Sequence, residues 1–184
     1  MTIRLILLYF LLNGFGLYRA NPIQETLTPD KGTIIDTVQV IKKIQQNYSL
    51  INSNLRKYTI VQKTIEGRST EGGDVRMYFE EQELKKVVTI YYSEMGKVGT
   101  EFYFNADSLF FVYQAVYNYN SPIYSEGSKV ESIDENRCYF YRLSMIKWIG
   151  KDKKILMTGS EKFVLMEKTM LEEMRFVWKE VKLN

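Results

Sequence analysis

Two hydrophobic periodicities divide the chain. From residue 34, apolar side chains recur at three- and four-residue steps, as Ile34, Val38, Ile41, Ile44, Tyr48, Ile51 and Leu55, with Lys42, Lys43, Gln45 and Gln46 between them. That spacing predicts an amphipathic helix. Asp30 or Thr33 is its expected N-cap, since a short oxygen-bearing side chain satisfies the free N–H groups of the first turn. From residue 57 the period changes to two. Segments 57–66, 75–79, 84–92, 98–105, 109–119, 137–141 and 145–149 alternate β-branched or aromatic residues with polar ones and are predicted strands. Short polar turns separate most of them, and a longer polar stretch, 120–135, is expected to be a loop. Helical spacing returns at the end, with Phe163, Met166, Met170, Met174, Val177 and Val181 on one stripe, Ser160 placed as N-cap and Glu161 in the first turn.

One frame recurs in the β-rich part. Tyr78-Phe79, four residues and Leu84 is matched by Tyr103-Phe104, four residues and Leu109, and again by Tyr139-Phe140, four residues and Met145. An aromatic pair closing one strand and an apolar residue opening the next should face each other across a four-residue turn, which would set the register of three hairpins. The offsets are too uneven for a solenoid. The expected fold is therefore α+β, a meandering antiparallel sheet of about six to seven strands with an N-terminal and a C-terminal helix packed on it. A two-layer arrangement is the natural cover for the broad apolar face of the second helix. In the segment 109–119, however, Phe110, Val112 and Val116 oppose Tyr113, Tyr117 and Tyr119, so both faces of that strand need covering.

Ahead of the periodic region, Arg4 precedes an apolar run from Leu5 to Leu12 and then small residues. This is the pattern of a secretory leader, shorter than the ~20 residues of a membrane span. Cleavage after Gly16 or Ala20 fits, so residues 1–20 are expected to be a signal peptide, 21–32 a flexible linker and 33–184 a single domain. No Cys follows the apolar run to accept a lipid anchor, and the expected product is exported, periplasmic or secreted, and soluble. Charge changes the picture only by exclusion. With 25 Lys and Arg against 22 Asp and Glu, cleavage after Ala20 leaves a nearly neutral chain without the basic footprint of a nucleic-acid binder.

Candidate chemistry is sparse. The chain has no histidine, which removes Ser-His-Asp and Cys-His nucleophiles, His-ligated metals and the usual neutral-pH base. Cys138 is the one cysteine, a buried apolar residue by expectation. No phosphate-binding glycine motif is present, and no catalytic residue, metal site or cofactor is expected. Glu80, Glu81 and Glu83 fall in one turn and cannot oppose each other across a cleft, as glycoside hydrolysis requires. Asp107, Asp134 and Glu135 do not match a calcium loop. What stands out is tyrosine: Tyr113, Tyr117, Tyr119, Tyr124, Tyr139 and Tyr141 form an aromatic stripe that would stack on sugar rings, anchor a partner, or line the inner face of the sheet.

With its hairpin frame and the stretches STEGGDVRMYFEEQELKKVV, YYSEMGKVGTEFYFNADSLFFVYQ and NYNSPIY, the chain resembles a group of uncharacterised exported proteins of Bacteroidota over about residues 70–148. The resemblance implies an exported β-rich domain without an assigned activity. The expected function is non-enzymatic binding of a protein, glycan or apolar partner. Alternatives are a lipid carrier with a cavity beneath the Met-rich helix and, third, a carboxylate-dependent hydrolase.

Overall fold

The computed structural model describes residues 36–182, with side chains to residue 179. The leader and linker expected in residues 1–32 lie outside the described residues, as do Asp30 and Thr33. Helix α1 spans Thr37–Ser53, and its N-cap is Asp36, whose carboxylate accepts hydrogen bonds from the N–H groups of Val38 and Gln39 at 3.1 and 3.2 Å. The helix therefore starts later than its apolar spacing suggested, and Val38 is 74% exposed. A 3-10 turn, Leu55–Lys57, leads into the strands β1 Thr59–Ile65, β2 Gly73–Glu80, β3 Glu83–Ser93, β4 Gly96–Asn105, β5 Ser108–Tyr119, β6 Val130–Tyr141, β7 Ser144–Ile149 and β8 Ile155–Leu156. Helix α2, Glu161–Lys182, follows, with the Ser160 hydroxyl accepting from the N–H of Phe163 as expected.

All strands of the described residues join one antiparallel sheet in chain order, eight strands rather than six or seven. The added strand, β8, is a two-residue pairing with Trp148 and Ile149. Strand β6 also begins earlier than expected: Val130 to Asn136, the end of the stretch read as a loop and its flank, pairs with β5. This half-strand lacks a regular apolar alternation, and Ile133 is exposed.

The recurring frame does set register. Phe79 faces Leu84, Phe104 faces Leu109 and Phe140 faces Met145, but the turns are of two residues and not the expected four, because Glu80–Glu83, Asn105–Ser108 and Tyr141–Ser144 pair as well. In each, the next pairing skips a residue: Tyr78 faces Lys86, Tyr103 faces Phe111 and Tyr139 faces Lys147. Lys85, Phe110 and Ile146 are the extra residues of three bulges. Phe110 consequently packs with Phe111, not with Val112 on the other face as simple alternation implied.

Register also separates the faces. Met77, Val87, Phe102, Val112, Cys138 and Trp148 are successive partners across β2 to β7. They pack beneath Phe163, Met170 and Val177 of α2. The neighbouring row, Tyr78, Lys86, Tyr103, Phe111, Tyr139 and Lys147, faces the other way, where Tyr103, Phe111 and Tyr139 meet Ile44 and Ile51 of α1. The helices thus lie on opposite faces, and the expected two layers are three. The cause is the central strands, apolar on both sides: burying a side chain such as Phe102 or Phe111 contributes about 1.5–3 kcal/mol.

Candidate functional site

The centre of the α2 side is packed, and towards Tyr91 and Gln114 it leaves a space of about 270 Å³ bordered by Arg68, Thr100, Thr169 and Glu173. Phe102, Phe104, Phe140, Phe163 and Met170 are each no more than 2% exposed, and the Phe104 and Trp178 rings meet at 5.4 Å. The α1 side is different. Helix α1 touches the sheet through residues one face apart, Ile44 and Ile51, and between it and the strands lies a cleft of about 700 Å³. Its sheet wall carries Phe111 and Tyr113 of β5 with Arg137 and Tyr139 of β6. The helix contributes Gln45, Tyr48, Ser49 and Asn52, and Lys86 of β3 and Glu101 of β4 also line it.

Lys86 is 4% exposed, which a lysine tolerates only when its charge is met. Its Nζ lies 2.9 Å from Glu101 Oε2 and 3.2 Å from Asn52 Oδ1, and 4.8 Å from the centre of the Tyr103 ring. The Tyr103 hydroxyl is hydrogen-bonded to Glu101 and to Asn52. Burial, and then the Glu101 charge, hold its acidity well below that of an ordinary tyrosine. A second pair borders the cleft. Arg137 bonds Glu135 at 3.0 Å, the Tyr113 hydroxyl donates to the same carboxylate at 2.5 Å, and the guanidinium stands 5.3 Å over the Tyr113 ring. The Tyr113 hydrogen bond and then Arg137 lower the Glu135 pKa, while burial and that same bond raise the pKa of Tyr113.

The two cations are therefore each matched by a carboxylate within the structure, and the cleft presents no net charge to a ligand. What it presents is ring and amide. Tyr48 lies edge-on to Phe111 at 5.2 Å, Phe111 edge-on to Tyr139 at 5.0 Å, and Gln45 hydrogen-bonds the Tyr139 hydroxyl. Ser49 and Gln45 remain exposed on the helix above.

The six tyrosines read from the sequence are not gathered at one place. Tyr113 and Tyr139 line the cleft. Tyr117 lies further along β5 on the same face, 4.9 Å from the Lys97 ammonium, and Tyr119 ends that strand. Tyr124 is 66% exposed in the β5–β6 loop, and Tyr141 lines a smaller groove beside Val40. Tyr48, Lys86, Glu101, Arg137 and Asn52 escaped the sequence reading. A usable signal was parity: Glu101 is two residues from Tyr103, and Arg137 two from Tyr139, so each charge shares a sheet face with an inward ring.

Compared with known proteins, the chain matches no protein-family model, no curated protein and no solved structure. Its chemistry must be argued from the site itself. Among the described residues no group of three or more His, Cys, Asp and Glu is placed to hold a metal ion. Cys138 is buried in the α2-side core, where burial pushes its thiol pKa up to about 12. No helix among the described residues is long and apolar enough to cross a membrane.

Proposed function

We propose that this is a non-enzymatic binding protein whose helix-sheet cleft holds a neutral, hydroxyl-rich ligand, a saccharide. The observation that carries this reading is the internal pairing of the buried Lys86 with Glu101. A charged ligand that took either partner would leave the other uncompensated, which is costly for a buried pair; Arg137 and Glu135 are paired as well, but both are about a third exposed, where such a pair contributes little. A sugar needs neither. It stacks an apolar face on rings such as Tyr48 and Tyr139, and its hydroxyls bond to groups such as Gln45, Ser49 and Glu101. The leader read in residues 1–20 and the resemblance to exported proteins of Bacteroidota give the setting, outside the cytoplasm, where glycans are at hand.

The competing readings have less behind them. A lipid carrier needs a large apolar cavity beneath the Met-rich helix, where the space beside Met170 is about 270 Å³ and is bordered by the polar groups of Arg68, Thr100, Gln114 and Glu173. A carboxylate hydrolase needs two opposed acids with one held protonated. Glu101 alone lines the cleft, and the nearby Glu135 has its pKa lowered, not raised.

Isothermal titration with a panel of neutral sugars tests the proposal. Wild type is expected to bind at least one series, and Tyr48→Ala to weaken it about tenfold, the loss of roughly 1–2 kcal/mol of ring stacking. Undiminished binding in Tyr48→Ala, or binding only to charged sugars, counts against it.

A further inference from the structure

Next to the cleft, on the same face of the sheet, lies a pit of about 150 Å³ lined by Val88, Ile90, Lys97, Gly99, Ala115 and Tyr117. Glu101 and Tyr113 line both spaces, so the cleft and the pit adjoin across this cross-strand pair. The register explains its depth. Gly99 and Ala115 are direct cross-strand partners, flanked on one side by the row Glu101–Tyr113 and on the other by Lys97–Tyr117. Two small residues are thus surrounded by long ones.

Gly99 is the informative residue. Other strand glycines are demanded by packing: a Cβ at Gly73 would lie 2.6 Å from the Ile90 carbonyl oxygen, and one at Gly96 would collide with that of Tyr117. At Gly99 nothing lies within 4 Å of an added Cβ, and the backbone is ordinary strand, not left-handed. Neither conformation nor packing calls for glycine, yet glycine in a strand interior weakens the strand. The remaining physical reason is the close approach of something not part of the chain.

Resting on the saccharide reading above, we infer that the binding site continues from the cleft across Tyr113 into the Gly99–Ala115 pit, so that its ligand is a linear neutral oligosaccharide and not a single sugar. Pit and cleft rows are two residues apart along the strand, about 7 Å, a distance that one more ring in a linear chain spans. Tyr117 and Tyr113 wall the pit with ring surface. The Lys97 ammonium stands 4.9 Å from the centre of the Tyr117 ring, a cation-π contact that positions this charge at the edge of the pit without neutralising it. A peptide adding as a strand is disfavoured, because β4 and β5 are central and their backbone groups are already paired on both sides.

The test is calorimetric titration of the full chain with β-1,4-linked glucose, mannose, xylose and N-acetylglucosamine series of one to six units, alongside a neutral extended heptapeptide. Wild-type affinity is expected to rise with length over the first few units. Gly99→Val fills the pit. It should melt no lower than wild type, and longer oligosaccharides should lose about tenfold in affinity, falling to the level of the shortest. Binding that is independent of length, or a length gain that survives in Gly99→Val, overturns the pit while leaving the cleft reading in place. If no sugar of any length binds, or if the heptapeptide binds and shows the Gly99 dependence, both are overturned.

Discussion

At the scale of single residues, the unusual feature is a lysine buried in a β-sheet by its own partners. Lys86 has Glu101, Asn52 and the Tyr103 ring around it, and Glu101 in turn accepts from Tyr103. Removing one member leaves the others desolvated. Lys86→Ala is expected to cost about 2–3 kcal/mol, below the full penalty for a buried pair because Glu101 is 28% exposed. Lys86→Met with Glu101→Gln should cost less than the sum of the two single changes. Urea unfolding of the four proteins gives that cycle directly; strict additivity would mean that the pair does not act as a unit. None of this was visible beforehand, because Lys85-Lys86 reads as a solvated pair until register shows that Lys86 faces Tyr103.

At the scale of elements, the hairpins were legible and the bulges were not. Phe79, Phe104 and Phe140 announced their partners because an aromatic ending one strand and an apolar residue starting the next is a local signal. The extra residue in each hairpin is decided by what lies above the sheet: Phe110 turns toward α1, joining Tyr103 and Phe111. The start of α1 was misplaced for a related reason, since Val38 continues the apolar spacing and yet is exposed, beyond the part that meets the sheet. The cleft itself was only half legible. Tyr113 and Tyr139 were read from strand alternation, whereas the helix groups opposite them depend on how α1 is docked. The turns are also costly, for Arg142 and Leu143 both have left-handed backbone, φ 50° and 62°, without glycine. Leu143→Gly is expected to stabilise the fold by up to about 1 kcal/mol, read as a raised urea midpoint; a lowered one would mean that the Leu143 side chain contributes more than its backbone strain costs.

At the scale of the molecule, deep burial of weak acids makes the fold sensitive to alkali. Burial raises the pKa of the Cys138 thiol to about 12 and raises those of Tyr103, Tyr91 and Tyr113 as well. For a group whose folded pKa is raised, stability is fully present below its unfolded pKa and declines as pH rises toward the folded one. The loss should therefore begin above the ordinary values of 9 for the thiol and 10 for the phenols. Urea midpoints are expected to fall steadily from pH 9 to 11, with exposed tyrosines such as Tyr124 ionising in the native protein and a further step of tyrosinate absorbance accompanying loss of the native circular dichroism. Complete tyrosinate formation in a still-native protein would count against such burial.

The unbroken strand order, each strand paired with the one before it, has a kinetic meaning as well. With no crossover to wait for, the sheet can extend strand by strand as the chain emerges, and its contacts are mostly short in sequence separation, the topology of comparatively fast folding. Helix α2 is the exception, arriving last to cover Phe102, Phe140 and Cys138. Until α2, Glu161–Lys182, has been made, the nascent sheet carries one bare apolar face, and during that interval it depends on whatever shields hydrophobic surface in the cell.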